Sequence, residues 1–161
     1  MSLKDLGEVS YFKLNNEINR PVNGQIPLNK DKEALAAFFK ENVEPNTHAF
    51  SSVQEKINYL IEEEFLEAEF LAKYTPAFIE KLYTYLEEQN FTFKSFMAAY
   101  KFYSQYALKS NDGTEYLESY EDRVAFNALY FADGDEKLAL SLADEMIHQR
   151  YQPATPSFLN A

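Results

Sequence analysis

The chain has 161 residues and a formal net charge of -11, and 46% of its residues are hydrophobic, including 14 phenylalanines and 12 tyrosines. This apolar content disfavours a disordered chain, and the length suits one domain with its own core. The negative charge disfavours binding to nucleic acids or anionic membranes, which need clusters of Lys and Arg. The lack of cysteine excludes disulfides, Cys-ligated metals and thiol chemistry within these residues.

The scarcity of turn-forming residues indicates a mainly helical secondary structure. With only 4 Gly and 6 Pro, the composition favours helices over a β-sandwich with many turns. No apolar run approaches the roughly 18 residues of a membrane span, and the N-terminus has no signal-peptide pattern. We therefore expect a cytoplasmic protein that does not interact with membranes.

Short helices separated by loops are predicted for the first half of the chain. A first helix is expected over residues 6–18, a loop over residues 19–28 and a second helix from about 31 to 43. Ser52 and Glu55 have the spacing of a capping box, in which a hydroxyl and a carboxylate satisfy free N–H groups at a helix start. A third helix is therefore predicted to begin there.

The second half of the chain repeats this pattern with longer apolar faces. A short helix is predicted over residues 66–74, and Thr75-Pro76 then has the residue types of an N-cap and a first helical position. Further helices are predicted over about 92–108, 119–132 and 135–151. The residues expected to face the core are Phe78, Ile79, Leu82, Tyr83, Leu86, Phe96, Met97, Tyr100, Tyr103, Ala107, Leu138, Leu142, Met146 and Ile147. No alternating strand pattern appears, so the predicted fold class is an all-α helical bundle.

Two patterns of acidic residues imitate metal sites. Glu145 and His148 share one helix face, as in the Glu-x-x-His pairs of ferritin-like di-metal sites. The sequence has no second pair of this kind, so a solvent-facing polar pair is the preferred interpretation and no metal ligand is assigned. The three consecutive acids Glu62 to Glu64 point in directions about 100° apart on a helix, which favours a solvated helix end over a cation site.

An aromatic series and a charged tetrapeptide are likewise interpreted as structural. Phe93, Phe96, Tyr100, Tyr103 and Tyr106 follow helical spacing, and such stripes belong more often to a core than to a radical-transfer path. In Tyr120-Glu-Asp-Arg123 the two acids suit the positive end of a helix, and Arg123 is expected to pair with a nearby carboxylate. The chain contains no recognised nucleotide-binding or hydrolase motif, and no catalytic residue is assigned.

Five segments in order resemble the N-terminal helical region of the class Ib ribonucleotide reductase large subunit. They are Leu14–Ile18, Phe96–Asp112, Tyr120–Val124, Phe131–Asp135 and Gln152–Asn160. The last segment, Gln-Pro-Ala-Thr-Pro-Ser-Phe-Leu-Asn, differs from the family pattern by a serine in place of a threonine. The resemblance covers nearly the whole chain and about the first fifth of such a subunit.

The resemblance implies a domain organisation. Residues 1–150 would form an N-terminal helical domain, and residues 151–161 would be the lead-in to a catalytic barrel that is missing here. Many subunits of this family begin with an ATP-binding cone, which leaves open whether residues 1–90 include a partial, degenerate ATP-cone. Whether residues 29–52 bind a nucleotide is also left open, and no residues are assigned to such a site.

The resemblance also implies an activity for the whole subunit. Members of the family reduce ribonucleoside diphosphates to 2'-deoxyribonucleoside diphosphates with a cysteine thiyl radical and a reducing cysteine pair. The implied partners are the diphosphate substrate, nucleotide effectors, the small (beta) subunit with its metal-tyrosyl radical, a redoxin reductant and a second copy of the large subunit. The required cysteines are absent from this chain, so it is expected to be inactive alone. No cofactor is expected to bind to this chain itself.

Thr155 and Ser157 are the candidate substrate-binding residues. From the residues alone, a Thr-Pro-Ser turn offers hydroxyl and backbone N–H groups that suit phosphate oxygens, but it equally suits an ordinary extended linker. The resemblance implies that Thr155 contacts the bound diphosphate, and Ser157 keeps a hydroxyl at the position of the second threonine. The alternative function, from another class, is a free-standing helical interaction module without catalytic activity.

Overall fold

The computed structural model describes residues 10–18, 20, 23–25 and 28–154, so the predicted first helix lies partly outside the described residues. Over these residues the chain is all-α, as predicted, with isolated β-bridges, two of which involve Tyr116, but no strand. None of the described helices is long and apolar enough to span a membrane. The helices are α1 Ser10–Ile18, α2 Leu28–Phe38, α3 Val53–Glu62, α4 Ala68–Leu71, α5 Pro76–Glu88, α6 Phe96–Lys101, α7 Tyr120–Ala132 and α8 Glu136–Ile147.

The helix starts follow from local side-chain chemistry. The Thr75 hydroxyl accepts the N–H of Phe78 at the start of α5, and Pro76 occupies the first helical turn. The Ser52 hydroxyl accepts the N–H of Glu55 at the start of α3. The Glu55 carboxylate accepts the N–H of Ser51, one residue earlier than a standard capping box requires. The predicted caps at Ser52 and Thr75 are therefore confirmed.

Helix α7 is the central element of the described fold. It packs against α4, α5 and α8, and eight consecutive residues, Asp122–Leu129, are buried. A helix that is buried on all faces cannot show the single apolar stripe of a surface helix. The core around it includes Phe126, Leu129, Leu82, Leu86 and Met146.

A second packing region lies where α1, α2 and α6 meet. Tyr11, Phe38 and Phe96 are buried there, with ring centroids 5.1 to 5.8 Å apart. Phe38 meets the rings of Tyr11 and Phe96 edge-to-face, and such contacts add to the free energy gained from apolar burial. The predicted interpretation of the aromatic series as core is confirmed, because Phe96 and Tyr103 are buried and Phe93, Tyr100 and Tyr106 pack against the core.

Helices α2 and α6 each continue into a wider π-turn, over Phe39–Val43 and Phe102–Tyr106. These turns complete the predicted helices that end near residues 43 and 108. The first π-turn is closed by two side chains, since Asn46 Nδ2 donates to the Asn42 carbonyl at 2.7 Å and Thr47 Oγ1 donates to the Val43 carbonyl at 2.6 Å.

Several sequence predictions are wrong in detail. Met97 is 53% exposed and Leu138 is 43% exposed, although both were expected to face the core. The buried residues of α6 are Phe96 and Ala99, and those of α8 include Ala139 and Ala143, so small side chains occupy positions at which larger ones were expected. Helix α8 also ends at Ile147, four residues before the predicted end, because the chain turns into a left-handed residue at Gln149.

The central position of α7 predicts that truncation of Leu129 to alanine destabilises the protein far more than truncation of Met97 to alanine. Leu129→Ala removes a fully buried side chain and should lower the free energy of unfolding by about 2–5 kcal/mol. Met97→Ala removes an exposed side chain and should change it by less than about 0.5 kcal/mol. Urea denaturation followed by circular dichroism measures both. Equal effects would show that α7 does not occupy the centre of the core.

Candidate functional site

The two sequence-predicted site residues, Thr155 and Ser157, lie outside the described residues. Their role in binding stays a prediction. The described chain reaches Ala154, so the structure does describe the elements from which this segment emerges. Those elements, the C-terminal turn of α8 and the N-terminal turn of α7, form the candidate site region.

The C-terminus of α8 ends in a Schellman motif. The N–H of Gln149 donates to the Met146 carbonyl at 3.0 Å, and the N–H of Arg150 donates to the Glu145 carbonyl at 2.9 Å. This motif needs a residue in the left-handed region after the helix, which is usually glycine. Here Gln149 takes that conformation with φ of 57°, so the turn carries a conformational cost that glycine would avoid.

The Tyr120 side chain lies against this turn. Its ring stacks on Phe91 with centroids 4.2 Å apart and contacts Phe102 edge-on at 5.5 Å. Its hydroxyl donates to the Met146 carbonyl at 3.4 Å. Burial raises the pKa of Tyr120. Tyr120 therefore joins the first turn of α7 to the last turn of α8.

The C-terminal part of α8 is also bound to α5, through Tyr85. The Tyr85 hydroxyl and the Arg150 guanidinium both donate to the Asp144 carboxylate, and Arg150 Nε also donates to Glu145 at 3.1 Å. The Tyr85 hydrogen bond, followed by the charge of Arg150, lowers the pKa of Asp144. Burial and the Asp144 contact raise the pKa of Tyr85 to about 12.

The residues that leave α8 pass along a cleft of about 260 Å³. Tyr151 is exposed and Pro153 is buried, so the segment is attached to the domain beyond the Schellman turn as well. The cleft is lined by Phe93, Ala98, Lys101, Phe102, Tyr106, Tyr120, Gln149 and Gln152. Apolar rings and amide groups dominate this lining, which suits the holding of a peptide segment.

A buried ion pair joins Glu118, just before α7, to Arg123 in the first turns of α7. Glu118 and Arg123 are 1% and 2% exposed, and Arg123 Nε donates to Glu118 Oε1 at 2.8 Å. The Leu108 N–H donates to the same oxygen at 2.9 Å, whereas no hydrogen-bond partner of Oε2 lies among the described residues. Burial raises the pKa of Glu118 to about 7, against the opposing effect of Arg123. The predicted pairing of Arg123 with a nearby carboxylate is confirmed.

Asp122 is the centre of a second buried network. It completes the capping box with Ser119, accepts from Lys56 Nζ at 2.7 Å and accepts from the Tyr83 hydroxyl at 2.9 Å. These bonds tie α3 and α5 to the first turn of α7. Desolvation raises the pKa of Tyr83 well above its ordinary value, so this hydroxyl stays protonated and acts as a donor. Every described polar group of Asp122 is thus used for structure, and none is left for acid–base chemistry.

An adjoining cleft of about 460 Å³ contains His48, whose Nδ1 lies 2.8 Å from a Glu115 carboxylate oxygen. The imidazole ring also stacks on Tyr59, with centroids 5.3 Å apart. The Nδ1 atom and the ring face of this histidine are therefore both in contact with other parts of the domain. A third cleft, of about 370 Å³, is largely aromatic and includes Phe39, Phe91 and Tyr103.

The remaining sequence candidates lie apart from the site region or within structural contacts. Glu145 pairs with Arg150 and His148 with Asp144, so the two residues of the Glu-x-x-His pattern are solvent-facing and bonded to different partners. Across the described part of the chain, no group of three or more His, Cys, Asp or Glu residues could hold a metal. Glu62, Glu63 and Glu64 are exposed at the end of α3, which confirms the solvated helix end.

The sequence alone did not identify the contacts of Gln149, Tyr120 and Glu118. A glutamine gives no signal for a left-handed turn, which glycine or asparagine normally marks. Glu118 follows a buried leucine and precedes a helix cap, so its burial depends on the loop that supplies the Leu108 N–H. These arrangements depend on tertiary packing between distant parts of the chain.

Comparisons with known proteins agree across the whole described chain. Residues 11–91 match the family model described as ribonucleotide reductase N-terminal, and residues 92–161 match the one described as ribonucleotide reductase, all-alpha domain. The ribonucleoside-diphosphate reductase NrdEB subunit alpha of Bacillus subtilis is 48% identical over 152 residues, which is 94% of this chain and 14% of that protein.

Two further relatives have the same pattern of coverage. The ribonucleoside-diphosphate reductase subunit alpha of Bacillus subtilis is 44% identical over 94% of this chain and 22% of its own length. The subunit alpha of Mycoplasma pneumoniae is 40% identical over 94% of this chain and 20% of its own length. The chain therefore spans about a fifth or less of these relatives.

The raised pKa of Glu118 predicts a pH dependence of stability. Because the folded pKa of about 7 lies above the ordinary value of 4.5, the folded state holds this proton more tightly than the unfolded state. The free energy of unfolding of the wild type, relative to Glu118→Gln, should therefore fall as pH rises from about 4.5 to about 7 and then level off. Urea denaturation of both proteins between pH 5 and 8 measures the difference. A difference that grows with pH would instead indicate a Glu118 carboxylate stabilised in its ionised form by Arg123.

Proposed function

Because this chain belongs to the ribonucleotide reductase large-subunit family, we propose that it is the N-terminal helical part of a ribonucleoside-diphosphate reductase alpha subunit. The observation that carries this proposal is the uninterrupted match of two family models from residue 11 to residue 161. The all-α fold of the described residues is consistent with it. We further propose that it belongs to the class Ib group of these enzymes, because five segments between Leu14 and Asn160 resemble that group in the same order.

The proposed activity of the whole subunit is reduction of ribonucleoside diphosphates to 2'-deoxyribonucleoside diphosphates for DNA synthesis. The reaction requires a thiyl radical and reducing thiols, which the cysteine-free sequence cannot supply. Those thiols would lie in the remainder of the subunit. The metal-tyrosyl radical of the small subunit would supply the oxidising equivalent that generates the thiyl radical.

The proposed role of this chain is to hold and orient the segment that contains Thr155. In this proposal the Thr155 hydroxyl donates a hydrogen bond to a phosphate oxygen of the substrate, and Ser157 provides a second hydroxyl. Pro153 and Pro156 restrict the backbone on either side of Thr155, since each fixes its own φ and restricts the preceding residue. The burial of Pro153 supports a defined path for the segment as it leaves the domain.

Further partners follow from the same proposal. The whole subunit would bind nucleotide effectors, pair with a second copy of itself and with the small subunit, and receive electrons from a redoxin. We propose a cytoplasmic location, where these partners occur. The alternative of a free-standing interaction module is less well supported, because the named relatives are alpha subunits that extend well beyond the matched region.

Replacement of Thr155 tests the proposed substrate contact. In the complete subunit, Thr155→Ala should lower kcat/KM for ribonucleoside diphosphates by about ten- to hundredfold, because a hydrogen bond to a charged group contributes roughly 1.5–3 kcal/mol. Thr155→Ser keeps the hydroxyl and should retain activity to within a few-fold. Steady-state kinetics with the small subunit, together with a thermal melt, measures both effects.

Thr84→Ala provides a matched control for this experiment. Thr84 lies on the exposed face of α5, and its hydroxyl donates to the Glu80 carbonyl of the same helix. The control should leave kcat/KM and the melting temperature unchanged. A wild-type kcat/KM for Thr155→Ala would remove the proposed substrate role of this segment.

A further inference from the structure

We propose that the exposed rings of Tyr130 and Phe131 dock against an apolar and basic surface in the remaining part of the same alpha subunit. This inference rests on the proposed function, in which the chain is the N-terminal part of such a subunit. The two rings lie at the end of α7 and are 45% and 41% exposed. We call them the ring pair.

The ring pair ends a helix that is otherwise almost wholly buried. Residues 122–129 of α7 are buried, and Tyr130 and Phe131 follow directly, with their ring centroids 5.4 Å apart in an edge-to-face arrangement. Tyr130 also meets the buried Phe70 of α4 edge-on at 5.6 Å, so the exposed rings are continuous with the core. Aromatic rings are enriched in protein interfaces relative to the rest of the surface, so this pair indicates contact with another polypeptide surface.

Hydrogen bonds before and after the ring pair hold this turn in place. The Tyr74 hydroxyl donates to the Leu129 carbonyl at 2.7 Å and accepts the Gly134 N–H at 2.8 Å. The Lys73 ammonium donates to the Asp133 carboxylate at the surface of the same turn. A docking surface whose backbone is already ordered loses less conformational entropy on binding, which favours association.

The chain around the ring pair is acidic, which indicates the charge of the surface that it meets. Residues 67–73 and 130–137 contain five acidic residues and two lysines. Glu69 lies on α4 and Asp133 directly follows α7, and both are exposed. Lysine or arginine side chains would complement these acids, and a cation can also bind over an aromatic face. A second copy of this chain would instead bring like charges together, because its net charge is -11.

The small size of the ring pair favours a surface of the same polypeptide over a separate protein. An aromatic side chain buries about 150–250 Å², so two rings that are each less than half exposed offer roughly 200 Å². A stable complex between separate proteins buries about 800 Å² on each partner. Contacts within one chain need less, because the chain holds both surfaces at a high effective concentration. The alpha subunits of Bacillus subtilis have room for such a surface, since this chain corresponds to only 14% and 22% of their lengths.

Hydroxyl-radical footprinting with mass spectrometry tests whether the ring pair is covered. The 161-residue chain, which has its own hydrophobic core, is compared with the complete alpha subunit at concentrations at which both are monomers. In the complete subunit the oxidation rates of Tyr130 and Phe131 should be about five- to tenfold lower, as expected if their exposure falls to the 6% of Tyr83. Tyr83 itself should react slowly in both proteins.

Charge reversal at Glu69 tests whether the docked surface is basic. Glu69→Lys should speed hydrogen exchange of residues 130–137 about two- to fivefold in the complete subunit, the effect of losing one exposed ion pair, and not in the 161-residue chain. Glu88→Lys is the matched control, because it makes the same charge change at an exposed residue at the far end of α5. It should leave the exchange of residues 130–137 unchanged in both proteins.

Equal oxidation of the ring pair in the two proteins would overturn the inference. Protection that appears only at higher protein concentration, or only after addition of the small subunit, would also overturn it, because a second copy or another protein then covers the rings. An effect of Glu69→Lys no larger than that of Glu88→Lys would show that the docked surface is not basic.

Reductase activity separates failure of this inference from failure of the proposed function. The complete subunit is assayed with its small subunit and ribonucleoside diphosphates alongside the footprinting. An active subunit whose ring pair reacts as in the 161-residue chain overturns this inference alone. An inactive subunit overturns the proposed function, whatever the oxidation rates of the rings.

Discussion

Burial of α7 on every side from Asp122 to Leu129 is the constraint on which the rest of the described structure depends. No side of this stretch faces solvent, so Asp122 and Arg123 lie inside the domain. Burial of a charge is costly unless it is paired and hydrogen-bonded. Lys56 and Tyr83 satisfy Asp122, and Glu118 pairs with Arg123. The positions of α3, α5 and the loop before α7 follow from these pairings.

These pairings are better understood as positional constraints than as sources of stability. Removal of one member of a buried pair is strongly destabilising, whereas replacement of a whole pair by apolar groups is often neutral. The net contribution of the Glu118–Arg123 pair is therefore small, but it restricts which loop can lie beside α7. The same applies to Tyr120, whose hydroxyl makes one long hydrogen bond to α8 while its ring supplies most of the packing. Directional contacts at the N-terminus of α7 thus determine where neighbouring segments lie.

Local features of the fold were predictable from the sequence, and features that depend on distant partners were not. Caps at Ser52 and Thr75 were predictable because an N-cap depends on residues within one turn. Met97 and Leu138 were assigned to the core wrongly, since helical spacing does not tell which side of a short helix meets a neighbour. The candidate residues Thr155 and Ser157 came mainly from resemblance to a family. The contact of Tyr120 with the C-terminal turn of α8 joins distant parts of the chain, and the residue types do not indicate it.

The small residues along α8 have a consequence for how this domain can vary between proteins. Ala139 and Ala143 are fully buried, whereas the larger Leu138 on the same helix is substantially exposed. In a closely packed interior, added volume is as harmful as lost volume. Evolutionary substitution at Ala139 and Ala143 is therefore limited by size, and even an apolar replacement such as leucine would push α8 away from its neighbours. Leu138 meets no such limit among the described residues, so a change of size there should disturb the packing of α8 less than the same change at Ala139 or Ala143.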